Sequence, residues 1–354
     1  MKIKIEDYIN RIIISVILFS FCQIVNSQTK SIKVLPPDNG VYHTAFSRIV
    51  SFENNVTQEE VKKFTDMVNK KIVWMNISNH WFEGIKFPKE SVKNIWAQGV
   101  VPCIRMLPWS DYSKNDEKYS LTKIYNGIFD DELIKYANDV KNSDIPIMIE
   151  FAAEPNGDWF PWAGVQNRFT SKIKEDSDSE LYKKAYIHVF NIFKKQNVKN
   201  VTWVFHVNSV SSPEESWNKI SSYYPGDDYV DWIGVSIYGA MRYGEKFVNF
   251  QFLLETCYDQ LCALSTEKPL AILEFGVADY LPDVSKPLWI QSALYTVSLP
   301  QFNRIKAIGW WNSTWWNSDG TISALQIDSS PESLSFYKEG IAQPFFIGEV
   351  KLGE

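Results

Sequence analysis

Pro146-Ile-Met-Ile-Glu-Phe-Ala-Ala-Glu154 runs directly into Pro155-Asn-Gly-Asp-Trp-Phe-Pro-Trp162. A short apolar run closed by a carboxylate and followed by a Gly-containing aromatic stretch reads as a buried strand entering a loop. Pro269-Leu-Ala-Ile-Leu-Glu274, followed by Phe275-Gly276, repeats the pattern. Working outward, β-branched and aromatic runs predict strands around Thr44–Ser51, Ile72–Ile77, Val100–Met106, Ile145–Phe151, Val201–Val207, Trp232–Ile237, Leu270–Phe275 and Ala307–Trp311. Helices are predicted between them over Gln58–Val68, Asp131–Val140, Glu180–Gln196 and Leu253–Ala263. In the third of these, Leu181, Ala185, Val189 and Ile192 fall along one stripe, with lysines outside or near its end. Strand and helix alternating eight times, with no second compositional region, predict a single-domain α/β fold, the (β/α)8 TIM barrel. In such a barrel Glu154 ends strand four and Glu274 ends strand seven. Both then face the carboxyl ends of the strands, where barrel active sites are built.

The ends of the chain read differently. Lys2, Lys4 and Arg11 precede an apolar run from Ile12 to Val25, and Ser27 offers a small residue before a cut. Residues 1–27 are therefore expected to be a secretory signal peptide, leaving a domain over 28–354; the run is too short for a comfortable membrane span. Export to the periplasm or beyond is expected. A lipoprotein anchor at Cys22 is disfavoured by the bulky Phe21 before it. After Pro331 a last helix is expected, then Pro344-Phe-Phe-Ile347 packing across the barrel base.

Of 354 residues 45% are apolar and 22% charged, enough chain for a sizeable core. Removing residues 1–27 takes away Lys2, Lys4, Arg11, Glu6 and Asp7, so the formal charge moves from −6 to −7. No basic patch points to nucleic acid, and a mildly acidic monomer acting on a neutral polymer is expected. Cys103, Cys257 and Cys262 are an odd number, so buried free thiols are expected rather than a disulfide framework. His43, His80, His188 and His206 show no metal-ligand spacing, and neither a metal nor a cofactor is expected.

Two carboxyl groups at neighbouring strand ends suit cleavage of a glycosidic bond with retention: one protonates the leaving oxygen and the other attacks the anomeric carbon. The tryptophans suit the same chemistry. Trp81, Trp109, Trp159, Trp162, Trp310, Trp311, Trp315 and Trp316 all fall at or just after predicted carboxyl ends. Flat rings there can stack on the C–H faces of pyranoses, or simply pack. Asn156 and Asp158 can hydrogen-bond sugar hydroxyls, although Asn156-Gly157 is also a plain turn signal. Alternation puts Glu150 on the same side as Glu154, and an Arg105–Glu150 pair beneath the site is expected in a structural role.

The segments around the two glutamates resemble glycoside hydrolase family 26, best known for β-mannanases. The resemblance rests on Ala153-Glu-Pro-Asn-Gly-Asp-Trp-Phe-Pro-Trp162, Tyr186-Ile-His188, Asn200-Val-Thr-Trp-Val-Phe205, Tyr224-Pro-Gly-Asp-Asp-Tyr-Val-Asp-Trp-Ile-Gly-Val-Ser-Ile-Tyr238 and Leu273-Glu-Phe-Gly276. It covers residues 40 to 330 or so. It implies Glu154 as acid/base, Glu274 as nucleophile, Tyr238 as a hydrogen-bond donor to the nucleophile, and support from family positions for Trp159 and Trp310 in sugar binding. Trp162 and Asn156 complete the expected substrate-binding set. An endo-acting enzyme on β-1,4-mannan is implied, with a β-glucanase, a β-xylanase or a non-catalytic glycan-binding barrel as alternatives. Two positions depart from the family pattern: Ala153 stands where a His is common, and Ser236 where an Asp is common.

Overall fold

The computed structural model describes residues 31–166, 178–279, 285–317 and 319–354, so the expected signal peptide lies outside the described residues. Eight parallel strands form the centre: β1 (Val41–Ser47), β2 (Trp74–His80), β3 (Val101–Leu107), β4 (Ile147–Phe151), β5 (Val201–Asn208), β6 (Trp232–Tyr238), β7 (Leu270–Gly276) and β8 (Ile305–Asn312). They pair in chain order, and β1 pairs with β8 from Tyr42↔Ala307 to Ser47↔Asn312, which closes the barrel. The helices after each strand are α1 (Gln58–Val68), α2 (Lys89–Trp96), α3 (Asp130–Ser143), α4 (Asp178–Lys195), α5 (Ile220–Tyr223), α6 (Phe250–Leu264), α7 (Lys286–Thr296) and α8 (Pro331–Ile341). The fold is a (β/α)8 barrel, and Ile32–Glu354 form one compact unit.

The first strand is displaced from its expected range. It covers Val41–Ser47, not Thr44–Ser51, because a carboxylate takes the next residues out of the sheet. Glu60, fully buried on α1, accepts hydrogen bonds from the Ser47 hydroxyl and from the backbone N–H groups of Ile49, Val50 and Ser51. Thr57 caps α1 by accepting from Glu60 N at 3.2 Å, so Thr57-x-x-Glu60 has the capping-box sequence while the Glu side chain serves the loop.

Alternation along the strands builds two layers inside the barrel. The lower is apolar: Tyr42, Trp74, Cys103, Met148, Val204, Trp232 and Ala307 fill it, with Tyr42, Trp74 and Trp232 in mutual ring contact at 5.7–6.3 Å. Burying each such large side chain contributes roughly 1.5–3 kcal/mol. A strand over Lys33–Leu35, paired antiparallel with Lys351–Gly353, closes the base; Trp232 Nε1 donates to Val34 O at 2.8 Å. Phe346–Ile347 pairs with Val41–Tyr42 there, as expected for the tail. Two residues further along their strands, Cys103, Met148 and Val204 give way to Arg105, Glu150 and His206, and the interior becomes charged. Cys103 and Cys257 are buried free thiols; Cys262 is half-buried rather than buried.

Candidate active site

The charged layer is a chain of contacts across five strands. Arg105 Nε lies 2.7 Å from Glu150 Oε1, and Arg105 Nη2 lies 2.9 Å from Glu274 Oε1. Both contacts are ionic, off ideal hydrogen-bond angles. His206 Nδ1 meets Glu150 Oε2, and His206 Nε2 is 2.8 Å from Ser236 Oγ. The guanidinium also sits 4.8 Å from the ring of Trp311, which stacks on Phe46 at 3.8 Å. Charges this deep persist only when paired, and each of these is. Glu150, His206 and Glu274 present ligand-type atoms within 4.8 Å of one another. Arg105 and the two hydrogen bonds of His206 already occupy those atoms, so the group is a salt-bridge layer rather than a coordination sphere.

Glu274 stands at an irregularity of β7. The register with β6 shifts between Val235 and Ser236, and that with β8 shifts between Ile272 and Phe275. Such a bulge re-aims a side chain. Tyr238 donates its hydroxyl to Glu274 Oε2 at 2.6 Å. Burial pushes the Glu274 carboxyl up to about 7; Arg105 opposes that rise and the charge of Glu154 adds to it. Burial likewise works against charge on Glu150, yet His206 and Arg105 hold its carboxyl below the ordinary range. His206 is raised: burial opposes its proton, but Glu150 more than offsets this.

Glu154 has a different setting. It lies three residues past β4 with φ 55°, and Ala152 before it has φ 51°, both in the left-handed region that costs non-glycine residues about 1–3 kcal/mol. Backbone bonds hold the turn: Ala152 N donates to Met106 O at 3.0 Å and Glu154 N to His206 O at 2.9 Å. The carboxylate accepts from two neutral donors, Trp159 Nε1 at 2.8 Å and Asn208 Nδ2 at 2.9 Å. Gly157 is required beneath that indole, since a Cβ there would stand 2.5 Å from Trp159 Cζ2.

Among the expected sugar-binding residues, Trp159 is half-buried beside Glu154, and Tyr238 is half-buried beside Glu274. Three others are corrected. Asn156 is fully buried, and both ends of its amide are used: Nδ2 donates to Asn208 O at 2.9 Å and Oδ1 accepts from Asn208 N at 2.9 Å. It fixes the neighbour that holds Glu154 rather than offering a free amide to a sugar. Trp162 is 2% exposed and spends its N–H on Ala153 O at 2.7 Å. Trp310 is fully buried against Phe275, Trp289 and Tyr337, with its N–H on Leu325 O. Adjacent strand residues point to opposite faces, so it is Trp311, not Trp310, that turns into the barrel onto Arg105. The expected Arg105–Glu150 pair is present, but Arg105 also reaches Glu274.

His206 and Asn208, two residues apart on β5, went unrecognised in the sequence. Their spacing on an inward face, in line with Val204, is the signal that could have found them. A wall of rings borders the mouth on the β2–β4 side. His80 stacks on Phe82 at 4.8 Å, Trp109 lies 5.2 Å from Tyr112 and 5.3 Å from Phe160, and Phe160 stacks on Trp162 at 4.4 Å. Tyr112, 65% exposed, and Trp316, 73% exposed, are rings of this end open to solvent.

A closed (β/α)8 barrel with two acidic side chains in contrasting settings at its carboxyl-end face defines the class to which the molecule belongs. The family model described as glycosyl hydrolase family 26 matches residues 111–274 of the chain. It is 27% identical over 291 residues to Endoglucanase H of Acetivibrio thermocellus, covering 80% of this chain and 29% of that protein. It is 28% identical over 158 residues to a mannan endo-1,4-beta-mannosidase of Bacillus subtilis (strain 168), covering 44% of this chain and 35% of that protein. The chain thus spans about a third of the length of these relatives. The solved catalytic domain of an endo-beta-1,4-mannanase from Bacillus sp. JAMB-750 superposes with a TM-score of 0.64 at 16% identity, covering 87% of each chain; that likeness is one of fold.

Proposed function

We propose that the chain is a glycoside hydrolase, a retaining endo-β-glycanase that cuts β-linked polysaccharide by double displacement. The observation that carries the reading is the contrast between its two carboxyl groups. Glu274 is held by a cation and a phenol, which favour the ionised form a nucleophile needs against the burial that raises its carboxyl. Glu154 is held only by an indole and an amide, suited to a group that gives up and takes back a proton. Glu154 donates its proton to the glycosidic oxygen as Glu274 bonds to the anomeric carbon. Glycosylation removes the charge of Glu274, and Glu154 then takes a proton from the water that releases the sugar.

Mannan-type β-1,4-glycan is the substrate the family implies. A β-glucan is the second reading, favoured by the alignment to the endoglucanase, which covers far more of this chain than the alignment to the mannosidase. Reducing-sugar release from mannan, β-glucan and xylan tests both. Release from at least one, lost in Glu274→Ala, is expected. Binding of oligosaccharides without release from any would establish a glycan-binding barrel instead. Export is part of the proposal, supported by the basic, apolar and small residues in order at the start of the sequence. N-terminal sequencing of the secreted protein should begin near residue 28.

A further inference from the structure

The two-glutamate chemistry leaves part of the charged layer unexplained. One guanidinium serves two carboxylates, Glu150 at 2.7 Å and Glu274 at 2.9 Å, and a cation so divided favours whichever acid lacks another cationic partner. Glu150 has one: His206, 1% exposed, closes on its second oxygen and is itself steadied by Ser236. We infer that His206 and Glu150 are a positioning pair for Arg105. By satisfying Glu150, His206 leaves the guanidinium free to hold Glu274 as a carboxylate, and so sets the pH at which the nucleophile becomes active. The inference rests on the reading of Glu274 as nucleophile.

The surroundings leave this pair the deciding role. Titratable groups facing the layer are Cys103 on β3, His80 on β2, Glu154 after β4, Tyr238 on β6, and Tyr182 and Tyr186 on α4. Burial pushes the thiol and the three phenols well up, so they stay neutral, and it pushes His80 down to about 4, so it is uncharged near neutral pH. That leaves Arg105 and His206 as the cations and Glu150, Glu154 and Glu274 as the acids. His206 lies between Glu150 and Ser236 and makes no hydrogen bond to Glu274, so it acts there by charge, through Arg105 and across the 4.8 Å or less that separates the groups.

The test is the acid limb of kcat/KM against pH. Removing the cation in His206→Gln throws Glu150 onto Arg105 alone and should move the limb up by roughly one pH unit, about a tenfold loss on its steep part. The nearly isosteric Glu150→Gln frees Arg105 for Glu274 and should move the limb down. The double variant, with no acid left to satisfy, should return to the wild-type limb or below it. Loss of activity at every pH with an unmoved limb would mean a merely structural role and overturn the inference, as would an upward shift in Glu150→Gln. Should His206→Gln fail to fold, the direction of the Glu150→Gln shift decides alone. Titration of the Glu274 carboxyl carbon by NMR in 13C-glutamate-labelled protein needs no turnover. Shifts of the expected sign without hydrolysis would sustain the pair and remove the catalytic reading, and an unshifted Glu274 would remove the pair.

Discussion

Glu154 and Glu274 stand on the same rim of one barrel in opposite kinds of surroundings. Glu274 is part of a strand, 4% exposed, with Arg105 and Tyr238 on its oxygens. Glu154 is on a left-handed turn beyond a strand, with Trp159 and Asn208 on its oxygens. One environment supplies fixed charge on a bulged strand; the other supplies dipoles and a turn held by bonds to neighbouring strands. Charge holds an ionised group in place, whereas neutral donors tolerate a group whose protonation must change twice per cycle. The proposed division of roles rests on that difference in backing.

The sharpest way to break that comparison is to delete each carboxyl in turn. Glu274→Ala should lower kcat by about four orders of magnitude or more on every substrate, because no nucleophile remains. Glu154→Ala should lose far less on an aryl glycoside with a good leaving group than on polysaccharide, and added azide should restore activity by capturing the glycosyl-enzyme. Equal losses on good and poor leaving groups would take the acid role away from Glu154. In a crystal structure of the protein the two carboxyl groups should lie about 5–5.5 Å apart, the retaining separation. A gap beyond about 9 Å would contradict the mechanism.

A smaller effect concerns stability. The Glu274 carboxyl is raised from its ordinary 4.5 to about 7, chiefly by burial. Between those values the folded protein binds the proton that the unfolded chain releases. The group's favourable contribution is therefore complete below about 4.5 and lost as pH rises through about 7. At pH 8 the cost reaches roughly 3 kcal/mol. Glu274→Gln does not titrate there, so its Tm relative to the wild type should climb from pH 5 to pH 8. A difference that stays flat over that range would mean that Arg105 and Tyr238 fully offset the burial and keep Glu274 a carboxylate throughout it.

The fold was readable because each barrel strand is a short apolar or β-branched run, and because Gln58–Val68 carries its own helix signals at Thr57 and Asn69. The first strand misled because Ile49, Val50 and Ser51 look like its continuation, and only the buried Glu60 on another element turns them away. Glu154 and Glu274 were legible as strand-end acids. The second partner of Arg105, the link from His206 to Ser236 and the support of Glu154 by Asn208 were not. Each joins residues at least 30 positions apart, and barrel closure alone decides which inward faces meet. Trp310 and Trp311 show the finer limit. Composition places an indole at the rim, but the face it takes depends on a register that one residue reverses.

The smallest expected effect tests what the two departures from the family pattern do. Ala153 is buried beside Glu154, its carbonyl taken by Trp162, and Ser236 is fully buried with its hydroxyl on His206. Neither offers the charged or strongly polar contact that His and Asp would provide near the cleavage point. A site that hydrogen-bonds a particular hydroxyl discriminates by large factors, and removing such groups relaxes or redirects the choice. Ser236→Asp would also give His206 a second acid, binding its proton more firmly while adding negative charge near Glu274. The expected outcome is a parent that cuts another β-glycan better than plain mannan. In Ala153→His with Ser236→Asp, the ratio of kcat/KM on mannan to that on the best alternative glycan should rise about tenfold. Acid-limb measurements on the single Ser236→Asp variant separate sugar choice from charge, since a contact to substrate moves the ratio while a change at His206 moves the limb. A parent that already prefers unsubstituted mannan strongly would show the two departures to be silent, and specificity would then have to come from the aromatic wall around Trp109 and Tyr112.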